Sequence, residues 1–351
     1  MHSIDVRSEH DYQVIIDCNW KEQLVNSLGN RSRVAFIFSN RMKDVVKAIE
    51  VGDCEAFYFE VTDGEDAKTY QTLNTLWNWL GASGFTRSDL IIGVGGGTIT
   101  DLAGFTAATW LRGIDWIAVP TTLAGMVDAA IGGKTGINSD YGKNLIGSFH
   151  SPQQVIVDIS WLKSLSDRDY AAGLAEVVKT GFIAQPKILD LLTNRSLESI
   201  RTDDTLISEL ISLSVAAKAK VVSADFKESF GREILNYGHT LGHAVEIHSK
   251  YSLRHGEAVS IGLCFIAQFA GLRGILDEQT VNLHQNLLKN LGLPITYSRS
   301  AWQELFALMA LDKKARGHNL RFVAISKVGE CLRIEDAIES ELEQAYEMIS
   351  T

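Results

Sequence analysis

Histidines are concentrated in one stretch of the chain. The segment from Gly231 to Glu257 contains His239, His243, His248 and His255, out of nine histidines in all. His239 and His243 are four residues apart, so on a helix they lie on one face. Two imidazoles and a carboxylate from elsewhere would form a three-ligand zinc site with an open position. The competing interpretation is a surface helix with solvated histidines, because such pairs often bind nothing.

Two further polar residues lead into the same face. Arg232 and Asn236 are also four residues apart and precede the histidines. A single helix carrying Arg, Asn, His and His on its inward stripe is costly to bury unless these groups bind something. The spacing therefore predicts a ligand-binding helix face from Arg232 to His243.

A carboxylate occurs in an apolar helical stretch earlier in the chain. The segment AGLAEVVKTGF, residues 172–182, places Glu176 three residues before Lys179. One interpretation is an intrahelical ion pair that contributes little. The other is that Glu176 completes the histidine site and Lys179 faces a ligand.

A glycine-rich turn follows a hydrophobic run. The segment DLIIGVGGGTITDLAGF predicts a strand, then Gly95, Gly96 and Gly97, then a helix that starts near Asp101. Glycines let backbone N–H groups approach a diphosphate, and a helix N-terminus favours negative charge. The pattern is not the usual GxGxxG, and a plain strand–helix turn remains the alternative. An upstream Gly-Glu-x-x-Lys turn at 64–68 could reach an adenine ribose, or could simply start a capped helix.

The run from Val119 to Gly147 predicts a binding loop. Its polar and glycine groups are Pro120-Thr121-Thr122, Gly132-Gly133-Lys134 and Gly142-Lys143-Asn144. Lysines placed after glycines suit phosphate or polyol recognition, whereas a solvated flexible loop is the alternative. Asp128 stands among apolar neighbours and needs a ligand hydroxyl or a cation.

Two later charged stretches are ambiguous. The segment 216–228 contains Lys218 and Glu228, and the segment 311–322 contains Lys313 and Lys314. The default interpretation of both is a solvated charged surface.

These groups must be positioned by two different kinds of structure. Buried strands are predicted at Arg33–Ser39, Glu55–Val61, Leu90–Gly96, Asp115–Pro120 and Gln154–Asp158, with helices at Asp66–Leu80 and Asp101–Leu111. This alternation predicts a Rossmann-like α/β domain with a parallel sheet. After about Ser160 helical periodicity dominates, with a buried helix at Ala258–Leu272 and one late strand at Leu320–Ser326. We predict a domain at 1–160 and a mainly α-helical domain at 161–351.

Composition restricts the class of protein. The formal net charge of -10 argues against a nucleic-acid or membrane surface, so an anionic ligand would need a local Lys/Arg cluster. The four cysteines form no CxxC pair, as expected in a reducing compartment. Neither a signal-peptide pattern nor a charge-free apolar span is recognisable. We expect a cytoplasmic protein.

Taken together, these stretches resemble the 3-dehydroquinate synthase family of sugar-phosphate cyclases. The most specific motifs are PTTLAGMVDAAIGGKTGIN…GKNLIG, AEVVK and R…LNYGHTLGHAVE…RHGEAV. The resemblance runs nearly the full chain in order. The sequence departs from many members at Thr98-Ile99-Thr100 and at Ala172, which affects only fine ligand contacts.

The resemblance implies roles for the histidine stretch. Glu176, His239 and His255 would bind zinc, with cobalt as the alternative cation. His243 would move protons beside the metal, and Arg232 and Asn236 would contact substrate. Glu228 matches a proton acceptor.

The resemblance also implies the cofactor and substrate residues. NAD would be bound by a set that we predict as Glu65, Lys68, Gly95, Gly96, Gly97, Thr98, Asp101, Thr121 and Thr122, with Asp128, Lys134 and Lys143 nearby. Substrate would be bound by Arg112, Asp128, Lys134, Lys143, Asn144, Lys179, Lys218, Arg232, Asn236 and Lys314. Lys134 is also implied as catalytic. Arg112 resembles an arginine that reaches the phosphate of a neighbouring subunit, which implies a homodimer.

The implied reaction converts 3-deoxy-D-arabino-heptulosonate 7-phosphate to 3-dehydroquinate and phosphate in the shikimate pathway. It is a phosphate-eliminating carbon–oxygen lyase reaction with transient NAD reduction and aldol ring closure. Two alternatives remain open. One is another sugar-phosphate cyclase, such as 2-deoxy-scyllo-inosose synthase, and the other is a polyol dehydrogenase of the glycerol dehydrogenase type. A catalytically dead binding protein is disfavoured because no candidate ligand or lysine is missing.

Overall fold

Two units divide the chain in this computed structural model. The structure describes residues 1–227, 231–314 and 320–351, with the side chains of 311–314 left out. The first unit contains Met1–Ser164 and Lys218–Lys227, and the second contains Leu165–Ala217 and the described residues from Gly231 onward. A single boundary near residue 160 does not anticipate that a segment from the second half packs with the first unit.

A seven-stranded sheet forms the centre of the first unit. Its strands, together with those of a separate hairpin, are β1 (His2–Val6), β2 (Tyr12–Ile16), β3 (Arg33–Ser39), β4 (Glu55–Val61), β5 (Leu90–Gly95), β6 (Asp115–Pro120), β7 (Lys134–Ser139), β8 (Gly142–Phe149) and β9 (Gln154–Val157). The sheet order is β1-β2-β9-β6-β5-β3-β4. All neighbouring strands are parallel except β1 and β2.

Four helices pack with this sheet in the first unit. They are α1 (Trp20–Ser27), α2 (Lys43–Lys47), α3 (Tyr70–Ala82) and α4 (Gly97–Thr109). The strands of the sheet centre are continuous apolar runs because both faces are covered. Phe36, Ile92, Ile117 and Ile156 are fully buried in one core cluster. The predicted parallel α/β architecture is confirmed.

Both helices that were predicted in this unit start at a residue other than the predicted one. Helix α3 begins at Tyr70 because the Thr69 side chain accepts a hydrogen bond from the Thr72 N–H, and residues 65–67 form a separate 3₁₀ turn. Helix α4 begins at Gly97, so Asp101 lies inside it rather than at its start. Glycine's low intrinsic helix propensity obscured that helix start.

The stretch 119–147 is more ordered than the predicted loop. After β6, residues Gly125–Ala129 form a π-helical turn. Strands β7 and β8 then form an antiparallel hairpin. Gly136 and Gly147 allow its close pairing, because a Cβ at Gly136 would lie 2.7 Å from the Ile146 carbonyl oxygen. Strands β1 and β2 were also missed, because each is only five residues long; β1 is mostly exposed, whereas four residues of β2 are buried.

The second unit is mainly helical, as predicted. Its helices are α5 (Asp167–Ile183), α6 (Lys187–Leu192), α7 (Leu197–Arg201), α8 (Asp204–Ala224, whose last residues belong to the first unit), α9 (His239–His248), α10 (His255–Leu272), α11 (Glu278–Asn290), α12 (Trp302–Lys314) and α13 (Glu339–Glu347). Two strands, β10 (Phe322–Lys327) and β11 (Glu330–Ile334), form an antiparallel hairpin where one strand was predicted.

Helix α10 is the central helix of this unit. Among the described residues it is the one helix long and apolar enough to cross a membrane, yet 78% of that window is buried inside the protein. Core helices pass the same length test, so this is weak evidence for a span.

The predicted continuous helix from Arg232 to His243 is wrong. Residues Gly231–Asn236 form a 3₁₀ helix, and α9 begins only at His239. Gly238 between them has a φ of 79°, in the left-handed region that favours glycine. A Cβ there would also lie 2.9 Å from the Leu263 side chain.

Candidate metal and cofactor sites

Three helices of the second unit bring one carboxylate and two imidazoles together. Glu176 lies in the middle of α5, whereas His239 and His255 are the first residues of α9 and α10. The Nε2 atom of His255 lies 3.3 Å from Glu176 Oε1, and that of His239 lies 3.7 Å from the same oxygen. One ligand atom from each residue fits within 4.8 Å of the others. This is the donor set of a three-ligand zinc site.

The Glu176 carboxylate is buried, and its hydrogen-bonding capacity is not satisfied by the described residues. The residue is 1% exposed, and neither carboxylate oxygen accepts a well-formed hydrogen bond from the described residues. Lys179 Nζ contacts Glu176 Oε2, so the intrahelical ion pair considered from the sequence is present. Burial alone would raise the pKa of Glu176, but Lys179 and the two histidines hold it well below its usual range. An ionised carboxylate facing two ring nitrogens fits a divalent cation.

The two imidazoles have opposite proton affinities. Burial, together with the charge of Lys179, lowers the pKa of His239 well below its usual value. Burial also opposes protonation of His255, but the nearby carboxylates of Glu176 and Glu246 raise its pKa to about 10. A cation at this site would therefore compete with a proton on His255.

Helices α5 and α10 approach each other closely beside the site. Gly256 follows His255, and a Cβ at this position would overlap the carbonyl oxygen of Ala172. Arg168 on α5 donates to both carboxylate oxygens of Glu257 at 2.5 and 2.6 Å. The glycine and the ion pair thus bring the first turn of α10 against α5, one turn before Glu176.

The other sequence-predicted residues of this unit are less tightly grouped. His243 lies one turn after His239, with ring centroids 5.3 Å apart, and 6.1 Å from the His255 ring. Asn236 ends the 3₁₀ helix, and Arg232 is buried within it. The helix is interrupted at Gly238. Arg232 and Asn236 therefore do not lie on the same helix face as the histidines, contrary to the prediction from their i, i+4 spacing.

Glu246 is a site residue that the sequence reasoning missed. Its Oε2 atom lies 2.9 Å from His255 Nδ1, and the residue is 5% exposed. The signal was available, because Glu246 is three residues after His243 and seven after His239 on the same helix face.

In the first unit, adjacent strand ends form a second candidate site. Gly95 ends β5 beside Pro120, the last residue of β6, and Thr121 N–H donates to the Gly95 carbonyl at 2.9 Å. Gly96 precedes α4 without a side-chain cap. The Ile99 and Thr100 N–H groups donate to the Gly96 carbonyl oxygen, whereas the N–H groups of Gly97 and Thr98 lie too early in α4 to have a partner within the helix. Such a helix N-terminus at the carboxyl edge of parallel strands suits a diphosphate.

The glycines here also serve packing. A Cβ at Gly95 would lie 2.6 Å from Ile99, and one at Gly97 would lie 2.8 Å from the Ala129 Cβ. A Cβ at Gly125 would lie 3.5 Å from the Gly97 backbone nitrogen. The absence of a side chain at Gly125 therefore leaves space beside the Gly97 backbone nitrogen. Thr122 Oγ1 accepts from Gly125 N–H at 3.1 Å and holds this turn.

A buried lysine connects the 65–68 turn to α4 and the hairpin. Lys68 is 2% exposed, and its Nζ atom donates to Asp101 Oδ2 at 2.7 Å and to the Asn144 amide oxygen. Glu65 Oε1 accepts from the Asn138 side chain at 2.8 Å. The predicted adenosine-side residues are thus joined to one another.

Asp128 has the cation that its apolar surroundings required. Lys218 Nζ lies 2.7 Å from Asp128 Oδ1 and 2.5 Å from the Asp128 carbonyl oxygen. Lys134 begins β7, Lys143 lies in β8 and Arg112 ends an exposed turn with a φ of 68°.

The end of β3 adds residues that were not predicted. Strand β3 is the neighbour of β5, at the point where the strand order reverses. Ser39 ends β3, and its Oγ donates to Asp63 Oδ1 at 3.0 Å. Sequence alone offered no signal, because the order of the strands was unknown.

Two predicted residues cannot be located. Glu228 lies outside the described residues. Lys314 ends α12, but its side chain, like that of Lys313, lies outside them as well.

Comparison with known families decides the membership of the chain. The family model described as 3-dehydroquinate synthase N-terminal matches residues 58–172, and the one described as 3-dehydroquinate synthase C-terminal matches residues 173–315. The chain belongs to the 3-dehydroquinate synthase family. A curated 3-dehydroquinate synthase of Corynebacterium diphtheriae is 46% identical, over 100% of this chain and 99% of the relative. The predicted resemblance is confirmed.

Solved structures of this family's neighbours share the fold. The 2-epi-5-epi-valiolone synthase of Streptomyces hygroscopicus, with NAD+ and Zn2+ bound, has a TM-score of 0.90 at 24% identity, covering 99% of this chain and 98% of that one. A 2-deoxy-scyllo-inosose synthase with carbaglucose-6-phosphate, NAD+ and Co2+ has a TM-score of 0.87 at 24% identity, covering 99% of each chain.

Proposed function

We propose that the protein is a 3-dehydroquinate synthase that converts 3-deoxy-D-arabino-heptulosonate 7-phosphate to 3-dehydroquinate and phosphate. The observation that carries this is family membership over the full chain, joined with the buried Glu176 carboxylate facing two histidine Nε2 atoms. The 45–47% identity of curated relatives with this name favours it over other cyclases.

We propose that the first unit is the NAD-binding domain and that the second binds the metal. The uncapped α4 N-terminus, Thr121 and Thr122 would hold the diphosphate, and Glu65, Lys68 and Asp101 would line the adenosine side. Ser39 and Asp63, at the strand-order reversal, are additional candidates. Glu176, His239 and His255 would hold zinc, and cobalt is the alternative, since the two cyclase structures contain one or the other.

When bound, NAD would supply reversible hydride transfer, and the cation would supply Lewis-acid polarisation of a substrate alcohol. The protein's side chains have other tasks. His243, beside the ligand set, would move protons, as would Glu228. Asn236 and Arg232 would hold the substrate for ring closure. Lys134, Lys143 and Arg112 would balance the phosphate charge as it leaves.

The remaining substrate contacts are proposed from chemistry and family resemblance. Asp128, held by Lys218, would accept hydrogen bonds from substrate hydroxyls. Asn144, Lys179 and Lys314 complete the proposed set. All four cysteines are free thiols, in agreement with a cytoplasmic setting.

A side-by-side assay tests the proposed reaction. Purified protein with NAD and Zn2+ receives either the heptulosonate phosphate or glucose 6-phosphate, and released phosphate and accumulated NADH are measured. Phosphate from the heptulosonate phosphate alone, without net NADH, is expected. Phosphate from glucose 6-phosphate would indicate the inosose synthase, and net NADH from a polyol would indicate a dehydrogenase.

A metal assay tests the ligand set. His255→Ala should lose both bound zinc and turnover, whereas His248→Ala should keep both, because His248 hydrogen-bonds Tyr297 instead. Normal zinc content in His255→Ala would remove this residue from the ligand set. Near-native turnover of Lys134→Ala would likewise count against the proposed role of Lys134.

We also propose that the protein is a homodimer in which Arg112 acts on the partner's substrate. Arg112→Ala and His255→Ala are each expected to be inactive. Mixed heterodimers should regain turnover, since one site would combine an intact His255 with an intact Arg112 from the other chain. No recovery in verified heterodimers would place Arg112 with its own chain.

A further inference from the structure

Both candidate metal-binding histidines have their second ring nitrogen occupied. His239 Nδ1 lies 3.1 Å from the Tyr237 carbonyl oxygen, and His255 Nδ1 lies 2.9 Å from Glu246 Oε2. A carbonyl or an ionised carboxylate only accepts, so each Nδ1 must carry the proton. The Nε2 atom of each ring is then the nitrogen that faces Glu176, and a cation bound there would replace any proton that Nε2 carries.

The two partners differ in how they are built. The Tyr237 carbonyl belongs to the backbone just before α9, so its position depends on the fold alone. Glu246 is a side chain from the next turns of α9, and it is buried although it carries charge. Burying a carboxylate is costly unless partners compensate, and His255 is one such partner.

His255 needs such a constraint more than His239 does. The side chain of His255 is 40% exposed, compared with 10% for His239. Packing therefore restricts the ring of His255 less. Its orientation depends on the hydrogen bond at Nδ1 and on the start of α10 held against α5.

A second role for Glu246 is conceivable from distances alone. Ligand atoms of His243, Glu246 and His255 also lie within 4.8 Å of one another. A cation bound there through His255 Nδ1 would require that nitrogen to lose its proton. The 2.9 Å separation is a hydrogen-bond distance, and carboxylates commonly take this place behind a metal-bound histidine.

We propose that Glu246 is a positioning residue of the metal centre. It selects the Nδ1–H tautomer of His255 and the plane of its ring, so that Nε2 faces the cation held with Glu176 and His239. This inference rests on the proposed metal site. Loss of such a partner typically weakens metal binding by about 10- to 100-fold.

The test compares metal affinity rather than activity. Glu246→Ala and Glu246→Gln are purified as full-length protein with NAD, and the Zn2+ dissociation constant is measured by competition with a chelator. The alanine variant should bind about 10- to 100-fold more weakly. The glutamine variant should bind better than alanine, because its amide oxygen still accepts from Nδ1.

A surface pair provides the matched control. His248 on the same helix has its Nε2 atom 3.5 Å from Glu304 Oε2, and the Glu304 side chain is 78% exposed. Glu304→Ala should leave Zn2+ affinity unchanged. A drop of similar size in this variant would mean that any lost carboxylate acts through net charge, which would overturn the proposal.

A spectroscopic readout separates positioning from folding. With Zn2+ bound, ring 15N shifts of His255 should show a protonated Nδ1 and a metal-bound Nε2 in the wild type and in Glu246→Gln, but a mixed population in Glu246→Ala. Co2+-loaded Glu246→Ala should show altered visible absorption with an unchanged near-UV circular dichroism spectrum. If Glu246→Ala does not fold, Glu246→Gln still tests the proposal. Wild-type Zn2+ affinity in this variant, together with an Nε2–H tautomer of His255, would refute it.

The outcomes also distinguish this inference from the proposed function. A wild type that binds no divalent cation through His255 would refute the metal site itself. A wild type that binds one cation, with Glu246→Ala equal to it in affinity, would refute only the positioning role. Two cations per chain, one of them lost in Glu246→Ala, would make Glu246 a ligand and also overturn the proposal.

Discussion

The Lys68–Asp101 pair of the first unit and the Lys179–Glu176 pair of the second each contain a buried lysine beside a carboxylate, but the two pairs differ in their surroundings. In the first unit, Lys68 donates to Asp101 and to the amide oxygen of Asn144, so protein groups complete its contacts. Burial outweighs the attraction of Lys68, and the pKa of Asp101 is raised. In the second unit, Lys179 shares the carboxylate of Glu176 with two imidazoles, and the pKa of Glu176 is lowered.

This difference separates a polar cluster that joins elements from one suited to a ligand. The Lys68 cluster connects α4, the 65–68 turn and the β7–β8 hairpin, and its donors and acceptors match. The Glu176 cluster places two imidazole Nε2 atoms beside a buried, ionised carboxylate oxygen. A divalent cation held by these three groups, as we propose, would satisfy that arrangement. The variants below test this contrast, beginning with the largest expected effect.

Glu176→Gln should abolish function through the metal. The neutral amide loses the anionic ligand, so we expect loss of bound Zn2+ and a fall in turnover of at least about 1,000-fold, equivalent to about 4 kcal/mol. Metal analysis and phosphate release provide the measurement. Asp101→Asn is the counterpart, and it should keep its metal. Full Zn2+ content in Glu176→Gln would contradict the conclusion that the Glu176 cluster, unlike the Lys68 cluster, binds a cation.

Gly256→Ala should be more destabilising than Gly104→Ala or Gly271→Ala. Its Cβ would overlap the backbone carbonyl of Ala172, which cannot move without separating α5 from α10. We expect a loss of at least about 3 kcal/mol in the free energy of unfolding, measured with urea. In the first unit, a Cβ at Gly104 would meet only side-chain atoms, of Thr135 at 2.5 Å and Trp116 at 2.8 Å. In the second unit, a Cβ at Gly271 would meet the Val281 side chain at 3.0 Å. Equal losses in all three would contradict the backbone explanation.

Lys68→Met should destabilise the first unit without affecting metal. Removing the ammonium leaves the Asp101 carboxylate and the Asn144 amide without their donor. We expect a loss of about 2 kcal/mol in the free energy of unfolding, since Asp101 remains 18% exposed and partly solvated. Zn2+ content should stay at the wild-type level. A change in Zn2+ content would show that the two clusters are not independent.

Acid should destabilise the protein through His284 in the second unit. This ring is buried, its Nδ1 donates to the Thr280 carbonyl at 2.8 Å, and its Nε2 accepts from the Tyr237 hydroxyl at 2.8 Å. Burial lowers the pKa of His284 to about 4. The unfolded chain therefore binds a proton between about pH 6.5 and 4 that the folded protein does not, so stability falls as pH falls through this window.

Between pH 6.5 and 5, His284 should lower the free energy of unfolding by about 2 kcal/mol. Urea unfolding at several pH values measures it. His284→Gln should flatten the dependence, whereas the exposed His2→Gln should leave it unchanged. The same slope in wild type and His284→Gln would mean that His284 contributes nothing to the acid response.

Much of the fold followed from local pattern. Continuous apolar runs at β3, β5 and β6 predicted a sheet covered on both faces, and the all-round apolar α10 predicted a buried helix. Errors occurred where local signals are weak or misleading. Glycine obscured the start of α4, and the short strands β1 and β2 were missed. Gly238 interrupts the helix that i, i+4 spacing had predicted as continuous.

The sequence by itself determined which residue types were available for chemistry, where most of the buried elements lie, and the family. Residue spacing can relate groups only within one element, because backbone geometry is periodic there. The meeting of Glu176 with His239 and His255, the partnership of Glu246 with His255 and the place of Ser39 beside Gly95 were decided by tertiary structure. Each of these pairings joins separate helices or strands, and only packing determines their distance.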